Sequence, residues 1–471
     1  MSNPLPEALI KSLTPLNHFN PQTFRSVHDS GEQLVSVHFN PGKPIIQNGS
    51  WADGITEPPF QISGKVPWAP DAWYLDTRPS FTMDPFFHAG VYYVQEASGM
   101  FLAFALKQIT DLSKKLMVLD LCAAPGGKST MIQSLISPES LLVSNEVIKT
   151  RVPVLHQNMT KWGRANGIVS NNDPAFFKQL PGFFDLVIVD APCSGSGLFR
   201  KDPEVVKTWS PESVNLCSRR QTRILADIWA AIKEDGFLIY CTCSYSKDEN
   251  EDVLDKLFQQ YACKSIPLLP DPDWHIVESI ADQSGAYGYR FYPDQVRGEG
   301  FFLSVIQKKE PVISDLKNNK YQRGGKIRQN PERIDKRAEK QLNRWIQEGS
   351  FHYYPVGEGI HALPPGLVDD FKLLKNVLYL KKAGIRVGKP GETEWIPDHE
   401  LALAGILSDK SARIDLGKPD TLSFLRGESF ETGTGEKGWQ LVCFGGQGLG
   451  WVKLVDKRMN NYYPKSWRIR L

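Results

Sequence analysis

The sequence lacks the features that would assign it to a membrane, a secretory route or a disulfide-rich class. Its 471 residues contain no apolar stretch close to the roughly 18 residues needed to cross a bilayer. The first residues, MSNPLPEALIKSLTPL, have neither the basic start nor the long apolar run of a signal peptide. Cysteine is scarce: there are seven, an odd number, and five lie between residues 122 and 243. This pattern is typical of reduced thiols, so we expect a cytoplasmic protein that does not associate with membranes.

Metal-ligand spacing and a strong charge bias are also absent. No two cysteines form a CxxC pair, and Cys241 and Cys243 lie only two positions apart, which is the wrong spacing for zinc. We therefore expect no bound metal. The 55 Lys and Arg residues against 53 Asp and Glu residues give a net charge of +2. Because the overall charge indicates no particular partner, any nucleic-acid-binding surface would have to come from local segregation of charge.

Between about residue 90 and residue 309, apolar segments alternate with helical ones. The segments that predict buried strands are Leu116–Leu121, Leu141–Ser144, Phe184–Val189, Phe237–Tyr240 and Phe301–Ile306. The segments that predict helices are Ser129–Ile136, Pro211–Ile232 and Asp248–Tyr261. This alternation predicts an α/β fold with a mostly parallel sheet and helices on both faces. Ligands of such sheets bind at the carboxyl ends of the strands.

The regions that flank this core have a different composition. Residues 1–89 are rich in Pro and aromatic residues, with one strand-like piece at Leu34–Phe39. Residues 310–348 form a polar connector, with ten Lys or Arg residues between Lys317 and Arg344 against three acidic ones. A charge run of this kind is usually a solvated linker or helix face.

The last part of the chain predicts a separate module. Residues 349–471 have an α+β or β-rich pattern, and the two strand-like segments around Gly445-Gly446-Gln447-Gly448 predict a hairpin. The expected organisation is a small N-terminal domain at 1–89, a core at 90–309, a basic linker at 310–348 and a C-terminal module at 349–471.

The first motif with chemical content is VLDLCAAPGGKS at Val118–Ser129. A buried strand runs into small residues and two glycines, after which a helix begins. Small residues let a ligand approach the backbone, and the amides at a helix N-terminus favour an electron-rich group. A simple tight turn remains an alternative. However, Glu146 ends the next strand, where its carboxylate could accept hydrogen bonds from ribose hydroxyls, so the pair indicates a nucleoside cofactor.

Two cysteine-containing motifs follow later strands. DAPCSGSG covers Asp190–Gly197, and CTCS covers Cys241–Ser244. A buried cysteine is more often a small apolar residue than a catalytic one, so each motif alone has a structural interpretation. Both motifs, however, are predicted at the same edge of the sheet, with Asp190 and Lys128 nearby. This combination favours thiol chemistry in one cleft.

Taken together, these motifs resemble those of the RNA cytosine-C5 methyltransferases of the Nop/Sun family, most closely its bacterial ribosomal-RNA branch. The stretches that carry the resemblance are DLCAAPGGKS, DAPCSGSG, YCTCS with KDENE, YYVQEASGM, FRKDPEVV, SRRQTRIL and GEGFF. Weaker matches continue in KKAGIRVGK, HELALA and the C-terminal GLGWVKLVDKRMNNYYPKSWRI. The resemblance implies a Rossmann-like core that uses S-adenosyl-L-methionine to methylate carbon 5 of a cytosine in RNA.

The resemblance also implies roles for individual residues. Cys243 would attack carbon 6 of the cytosine, which makes carbon 5 nucleophilic, and Cys193 would help to remove the carbon-5 proton. Asp190 would bind the base and border the cofactor, and the charge of Lys128 would favour a thiolate. The residues expected to contact the cofactor are Cys122, Ala123, Ala124, Pro125, Gly126, Gly127, Lys128, Glu146, Asp173 and Asp190.

Two of these assignments have competitors within the chain. Asn172 is an alternative to Asp173, because both lie in the loop SNNDPAF. Cys241 stands where the family often has Ser, and alternation along the strand would place it on the same side as Cys243 unless the strand ends at Tyr240. We assign the nucleophile to Cys243 because it lies between Thr242 and Ser244, as the motif requires.

The C-terminus interleaves cations with aromatic residues. These residues are Lys457, Arg458, Tyr462, Tyr463, Lys465, Trp467, Arg468 and Arg470. Such a composition suits phosphate neutralisation with base stacking, although a terminal strand with a basic edge is the alternative. Beside a methyltransferase core it favours a PUA-like RNA-binding module. We expect the partner to be ribosomal RNA or the small ribosomal subunit, and the protein to be a monomer.

Other functions remain open at this point. One is a tRNA cytosine-C5 methyltransferase, and another is a non-catalytic RNA-binding factor in ribosome assembly. A DNA cytosine methyltransferase would use the cysteine of the first motif, Cys193, as its nucleophile. The presence of Cys243 in a second motif argues against that class.

Overall fold

A computed structural model describes most of the chain. The described residues are 4–47, 50–51, 58–311, 336–347, 351–428, 437–455 and 458–470, with the single residues 55, 334 and 349. Most of the predicted basic connector, including Lys317, lies outside them. None of the helices within the described residues is both long and apolar enough to cross a membrane.

The N-terminal segment forms a small antiparallel sheet with helices beside it. Its elements are α1 Glu7–Leu13, α2 Pro21–Asp29, β1 Val35–Phe39, β2 Ile46–Gln47, β3 Ser50–Trp51, β4 Ile62–Lys65, β5 Ala72–Leu75, α3 Pro85–Ala89 and β6 Tyr92–Val94. The sheet order is β4-β5-β1-β6, while β2 and β3 pair separately. Helix α2 begins where it does because Asn20 accepts hydrogen bonds from two backbone amides of its first turn and Pro21 occupies the first helical position.

The middle of the chain supplies the large sheet. Its elements are α4 Phe101–Ile109, β7 Met117–Asp120, α5 Gly127–Leu135, β8 Leu141–Asn145, α6 Val152–Trp162, β9 Gly167–Ser170, β10 Phe184–Asp190, α7 Pro203–Thr208, α8 Pro211–Ile228, β11 Ile232–Thr242, α9 Glu251–Gln260, β12 Cys263–Ser265, β13 Val277–Ile280, β14 Tyr287–Phe291 and β15 Phe301–Lys308. Strands β11, β10, β7, β8 and β9 are parallel neighbours in that order. On the far side of β11, β15, β14 and β13 continue the sheet in antiparallel fashion, and β12 pairs with β15.

The C-terminal part adds two small sheets and one strand to the large sheet. Its elements are α10 Lys336–Leu342, β16 His352–Val356, β17 Gly359–Leu363, α11 Val368–Val377, β18 Leu380–Ala383, β19 Ile385–Pro390, β20 Trp395–Pro397, α12 His399–Leu403, β21 Arg413–Asp415, α13 Lys418–Arg426, β22 Gly438–Phe444, β23 Gln447–Val455 and β24 Arg458–Asn461. The predicted hairpin is formed by β22 and β23. Strand β18 pairs antiparallel with β9 at the edge of the large sheet.

One predicted element is wrong at its end. The helix predicted at Pro211–Ile232 ends at Ile228, and Ile232 already pairs with Phe184 as the first residue of β11. Asp235 has a φ of 59°, and the register between β10 and β11 shifts there before Leu186 pairs with Phe237. The last residues of the predicted helix therefore divide into a 3-10 turn at Trp229–Ala231 and the first residue of a strand, Ile232.

Apolar side chains fill both faces of the large sheet. One core lies between the sheet and α4 and α5 and includes Val118, Ile188 and Ile239. The core on the other face combines α8 and α9 with residues of α11, including Leu374. A third core joins the two ends of the chain, since Val37 of β1 belongs to the same cluster as Phe424 and Leu449 of the C-terminal part. The N-terminal and C-terminal regions therefore pack against each other.

Candidate active site at the carboxyl edge of the central sheet

The turn after β7 is held close to α6 and β6. Gly126 has a φ of +117°, and a Cβ placed there would lie 3.3 Å from Leu155. A Cβ on Gly127 would lie 3.1 Å from the ring of Tyr93. Two side chains bind the turn's carbonyls: Arg151 Nη2 donates to Ala124 O at 2.5 Å, and Asn158 Nδ2 donates to Pro125 O at 2.8 Å. The turn is therefore fixed at the start of α5, and its two glycines allow its close approach to α6 and β6.

Asp120, the last residue of β7, has a free carboxylate oxygen. The residue is fully buried, and Ser129 Oγ donates to its Oδ2 at 2.6 Å, while Oδ1 has no hydrogen-bond partner among the described residues. Burial raises the pKa of Asp120 to about 7; the hydrogen bond from Ser129 acts against this rise and the charge of Asp190 adds to it. A buried acceptor without a donor, beside a glycine cradle, fits a polar ligand. Asp120 is not among the predicted site residues, although its place at the end of a strand was a usable signal.

Glu146 lies directly after β8 with its side chain only 4% exposed. Its Oε1 accepts a hydrogen bond from Ile148 N at 2.7 Å, and Arg151 Nη1 lies 3.4 Å from its Oε2. The preceding residue, Asn145, donates to Leu121 O and Asn172 O. The loops after three neighbouring strands are thus tied together, with the carboxylate of Glu146 fixed between them.

The loop after β9 contains Asp173, a predicted cofactor contact, and its alternative Asn172. The side-chain amide of Asn172 is occupied by Tyr379, since Tyr379 N donates to its Oδ1 at 2.9 Å and its Nδ2 donates to Tyr379 O at 3.4 Å. Asp173 Oδ1 accepts a hydrogen bond from Ala175 N at 3.0 Å and caps the short helical turn that follows. Asn172 is buried and its amide is occupied, whereas Asp173 is partly exposed and its carboxylate faces fewer partners.

The two predicted thiols are in contact. Asp190 pairs with Cys241 at the end of the β10–β11 ladder, so the loops after these strands lie side by side. Cys193 Sγ is 2.7 Å from Cys243 Sγ, longer than the roughly 2.05 Å of a disulfide bond, and both are free thiols. The hydrogen bond with Cys243 and burial both raise the pKa of Cys193 well above its ordinary value. Cys193 therefore holds a proton at neutral pH beside the second sulfur.

Cys241 differs from Cys243 in burial. It lies within β11, is fully buried and packs in the same core as Ile239 and Leu303. Burial raises its pKa well above the ordinary value, although Lys128 acts against this. Because β11 ends at Thr242, Cys243 lies beyond the strand and the expected alternation does not apply to it. Cys241 is thus buried from solvent, whereas Cys243 is partly exposed.

Lys128 and Asp190 form an ion pair beside these thiols. Lys128 Nζ lies 2.7 Å from Asp190 Oδ2 and 5.2 Å from the ring centroid of Phe301. Burial is the largest influence and acts to lower the pKa of Lys128, but the charge and hydrogen bond of Asp190, together with the charges of Cys241 and Asp120, outweigh it and the pKa is raised. Lys128 remains charged and orients the carboxylate of Asp190. The pair lies at the carboxyl edge of the sheet, beside the turn after β7 and the two thiols.

The C-terminal cation and aromatic residues divide between core and surface. Tyr463 is 3% exposed, and Trp467 packs in the core shared by the two ends of the chain. Tyr462 is 47% exposed, and Lys465 and Arg470 are exposed. The side chains of Lys457 and Arg458 lie outside the described residues. Within the described part, the surface candidates for RNA contact are therefore fewer than the sequence suggested.

Comparison with protein families gives three consecutive matches. The model described as 16S rRNA methyltransferase RsmB/F matches residues 107–307. The model of the N-terminal domain of 16S rRNA methyltransferase RsmF matches residues 5–97, and that of the methyltransferase RsmF PUA domain matches residues 411–469. The chain belongs to the RsmB/F methyltransferase family.

Sequence matches to similar proteins cover most of the length of this chain. The ribosomal RNA small subunit methyltransferase F of Vibrio cholerae serotype O1 (strain M66-2) is 29% identical over 423 residues, covering 85% of each chain. The protein of the same name from Escherichia coli (strain K12) is 27% identical over 419 residues, covering 85% of this chain and 84% of its own.

Solved structures share the fold. A methyltransferase homolog protein from Pyrococcus horikoshii is 25% identical with a TM-score of 0.51, and the match covers 64% of this chain and 100% of that one. NSun6 from Pyrococcus horikoshii with SFG is 16% identical with a TM-score of 0.53, over 65% of this chain and 99% of that one. The predicted α/β Rossmann-like methyltransferase core is therefore confirmed, together with the N-terminal domain and the PUA domain.

The cofactor of this methyltransferase is S-adenosylmethionine. The turn at 121–127, the free oxygen of Asp120 and the fixed carboxylate of Glu146 fit such a ligand, since they offer a backbone cradle and acceptors for its polar groups. No group of three or more His, Cys, Asp or Glu residues suited to a metal ion occurs within the described residues.

The predicted division of the chain stays a prediction. The PUA match at 411–469 is shorter than the predicted module at 349–471. Part of the remainder belongs physically to the core, since β18 extends the large sheet and Leu374 of α11 packs on its face.

Proposed function

We propose that this family member methylates carbon 5 of a cytosine in RNA, and that small-subunit ribosomal RNA is the substrate. The observation that carries the proposal is the contact of Cys193 and Cys243 at 2.7 Å, beside the Lys128–Asp190 ion pair. Carbon 5 of cytosine is a poor nucleophile until a thiolate adds to carbon 6, and a second group must later remove the carbon-5 proton. Two adjacent thiols at the edge of a methyltransferase sheet suit these two tasks.

The proposed chemistry uses the two thiols in sequence. The Cys243 thiolate forms a bond from Sγ to carbon 6, and carbon 5 becomes able to take up a methyl group. S-adenosylmethionine supplies that methyl group when bound in the turn at 121–127. Cys193 then helps to remove the carbon-5 proton while the bond from Cys243 Sγ to carbon 6 breaks. Because its raised pKa leaves Cys193 protonated in the free protein, this thiol must first give up its proton before it can take the carbon-5 proton.

Other residues bind and orient the reactants in this proposal. Asp190 would bind the polar edge of the cytosine, with Lys128 holding its carboxylate in place. The backbone from Cys122 to Lys128 would hold the methionine part of the cofactor, assisted by Asp120. Glu146 would accept hydrogen bonds from the ribose, and Asp173 would contact the adenine end.

The substrate assignment rests on the relatives and on the domains. The similar proteins from Vibrio cholerae and Escherichia coli carry the name ribosomal RNA small subunit methyltransferase F, and residues 411–469 match a PUA domain. We therefore propose that the protein acts in the cytoplasm on ribosomal RNA or the small subunit. The cytosine must leave its stack before Cys243 can reach carbon 6, so an accessible or flipped base is required.

The test of this proposal separates the two thiols. Small subunits from cells that lack the protein are incubated with enzyme and labelled cofactor, and the products are analysed by bisulfite sequencing and denaturing gels. Cys243→Ala should transfer no methyl group and form no covalent adduct. Cys193→Ala should accumulate a protein–RNA adduct that resists denaturation, because release needs the second thiol.

Cys263→Ala serves as the matched control, because Cys263 is a free, partly buried thiol on β12, outside the candidate site. Its product yield should equal that of the wild type. If Cys243→Ala traps RNA while Cys193→Ala is inert, the roles of the thiols are exchanged. Methylation at a position other than carbon 5 would reject the proposed reaction.

A further inference from the structure

The segment KDENE at 247–251 lies directly behind the two cysteine loops. It begins after the loop that contains Cys243 and leads into α9. Within this segment Glu249 is fully buried, with a relative exposure of 0%. The proposed reaction gives this carboxylate no role, although its burial requires specific partners.

Glu249 binds the residues that follow both cysteines. Ser194 N donates to Glu249 Oε1 at 2.8 Å, and Ser194 Oγ donates to Oε2 at 2.5 Å. Ser244 Oγ donates to the same Oε2, also at 2.5 Å. Ser194 follows Cys193 and Ser244 follows Cys243, so one carboxylate joins the two loops 50 positions apart in sequence.

The neighbouring contacts complete this brace. Gln221 Nε2 of α8 donates to Glu249 Oε1 at 3.2 Å and to Pro192 O at 3.1 Å. Asn250 accepts a hydrogen bond from Thr242 Oγ1 at 2.6 Å and donates to Ser244 O at 2.8 Å. The residues on each side of Cys243 are therefore fixed by Asn250, and the residues on each side of Cys193 by Glu249 and Gln221.

The chemistry of a carboxylate suits this task better than that of an amide. An ionised carboxylate only accepts hydrogen bonds and offers about four lone-pair positions, which match the four donors around Glu249. Hydrogen bonds to a charged acceptor are roughly twice as strong as those between neutral groups. A glutamine at this position would present an NH2 group to one set of donors and would release at least one loop.

We propose that Glu249 is a positioning residue that holds the sulfur atoms of Cys193 and Cys243 in contact by binding both loops. Its part in methyl transfer rests on the proposed function, but the contact itself exists without RNA or cofactor. Glu249 touches neither substrate nor the sulfur atoms and acts through Ser194 and Ser244. Loss of the brace would let the two loops move independently.

The first measurement uses the full-length protein without RNA or cofactor. Diamide, a diazene oxidant, takes up two electrons and two protons as the two thiols form a disulfide, and mass spectrometry follows the Cys193–Cys243 linkage. In the wild type the thiols in contact should couple readily. In Glu249→Gln the coupling should slow at least about tenfold, because proximity of the two sulfur atoms sets the rate.

Asp255→Asn is the matched control. Asp255 is a buried carboxylate on α9 that accepts hydrogen bonds from Ser284 N, Ser284 Oγ and Gln283 N, away from the cysteine loops. It should lose stability as Glu249→Gln does, yet couple its thiols at the wild-type rate. Slow coupling in both variants would mean a general structural role and would overturn the proposal. The proposal also fails if Glu249→Gln forms the disulfide at the wild-type rate, or if the wild-type protein does not form it.

The second measurement connects the brace to methyl transfer. With saturating RNA and cofactor, Glu249→Gln should lower kcat by about 100-fold while KM for RNA stays unchanged, since a displacement of about 1 Å at a reacting group can cost that much. If Glu249→Gln does not fold, Ser194→Ala/Ser244→Ala removes two of the donors and should give the same pattern. A wild type that couples its thiols but forms no RNA adduct would reject the proposed function and leave the brace intact. Unchanged kcat in a variant with slow coupling would reject the part of the brace in catalysis.

Discussion

Asp120 lies at the last position of β7, where its carboxylate is buried with one oxygen unpartnered among the described residues. Burial raises its pKa from an ordinary value of 3.8 to about 7. Between about pH 4 and pH 7 the folded protein therefore binds more protons here than the unfolded chain does. The contribution of Asp120 to stability falls over this range as the pH rises, and it is constant above it.

Asp120→Asn should remove this part of the pH dependence. Without cofactor, the free energy of unfolding of the variant should rise relative to the wild type between pH 4 and pH 7, by at most about 4 kcal/mol for a shift of about three pKa units. Urea unfolding at several pH values measures the difference. Asp76→Asn, at an exposed position, should follow the wild-type profile. If the difference in free energy of unfolding between Asp120→Asn and wild type stays constant from pH 4 to pH 7, the raised pKa of Asp120 is contradicted.

At the scale of elements, α6 and β18 are joined by a buried charged cluster. Lys382 of β18 forms an ion pair with Glu400 of α12, and both are almost fully buried. His156 Nε2 of α6 lies 3.6 Å from Glu400 Oε1, and Arg386 N donates to Oε2 at 3.0 Å. Burial is the largest influence and acts to raise the pKa of Glu400, but Lys382, His156 and the hydrogen bond from Arg386 N together outweigh it and lower the pKa to about 2. Since α6 also carries Asn158, which holds Pro125, this cluster supports the helix behind the cofactor turn.

Lys382→Met should leave the buried charge of Glu400 without its main partner. The expected loss of stability is about 3 to 5 kcal/mol, and adding Glu400→Leu should restore part of it. Urea unfolding near neutral pH checks both values. Lys372→Met is the control, because Lys372 pairs with the 95% exposed Asp369 and should cost less than about 1 kcal/mol. Additive effects of Lys382→Met and Glu400→Leu would show that the pair is not coupled.

At the scale of the whole molecule, selection of one cytosine needs surfaces beyond the thiol pair. The two ends of the chain share a core, so the PUA region is held against the N-terminal domain rather than tethered to it. Tyr463 is buried and contributes to packing, while the partly buried Trp467 packs against the same core. The exposed cations Lys465 and Arg470 are the best-defined candidates for phosphate contact in this region.

Lys465→Ala/Arg470→Ala should weaken RNA binding without changing cofactor affinity. Because each phosphate contact releases counterions, the slope of log K against log salt should fall by up to about two. Filter binding at several salt concentrations measures the slope, and calorimetry measures cofactor binding. Lys264→Ala/Lys410→Ala removes two exposed cations elsewhere and should leave both quantities unchanged. Equal losses in the two double variants would mean that the effect is one of net charge alone.

The sequence by itself determined the fold class and the chemical groups at the sheet edge. Strand and helix alternation is a local pattern, so the strands that precede Asp190 and Cys243 could be predicted from their apolar residues. The cysteine motifs follow strands that the structure makes parallel neighbours, which brings residues 50 positions apart together. The predicted end of the helix at Ile232 was wrong because Trp229–Ala231 form a 3-10 turn and Ile232 pairs with Phe184 as the start of β11.

Only the tertiary structure decided which of these groups come into contact and which are buried. The contact between Cys193 and Cys243, the Asp120 oxygen that has no partner among the described residues, and the brace at Glu249 depend on distances between distant segments. The same holds for β18, whose pairing with β9 requires a free sheet edge that no local pattern reveals. Burial also depends on the whole fold. Cys241 and Tyr463 are both buried in the folded chain, which no local pattern predicted. Residue type and order limit the possible chemistry, while the protonation and contacts of each side chain follow from its surroundings in the folded chain.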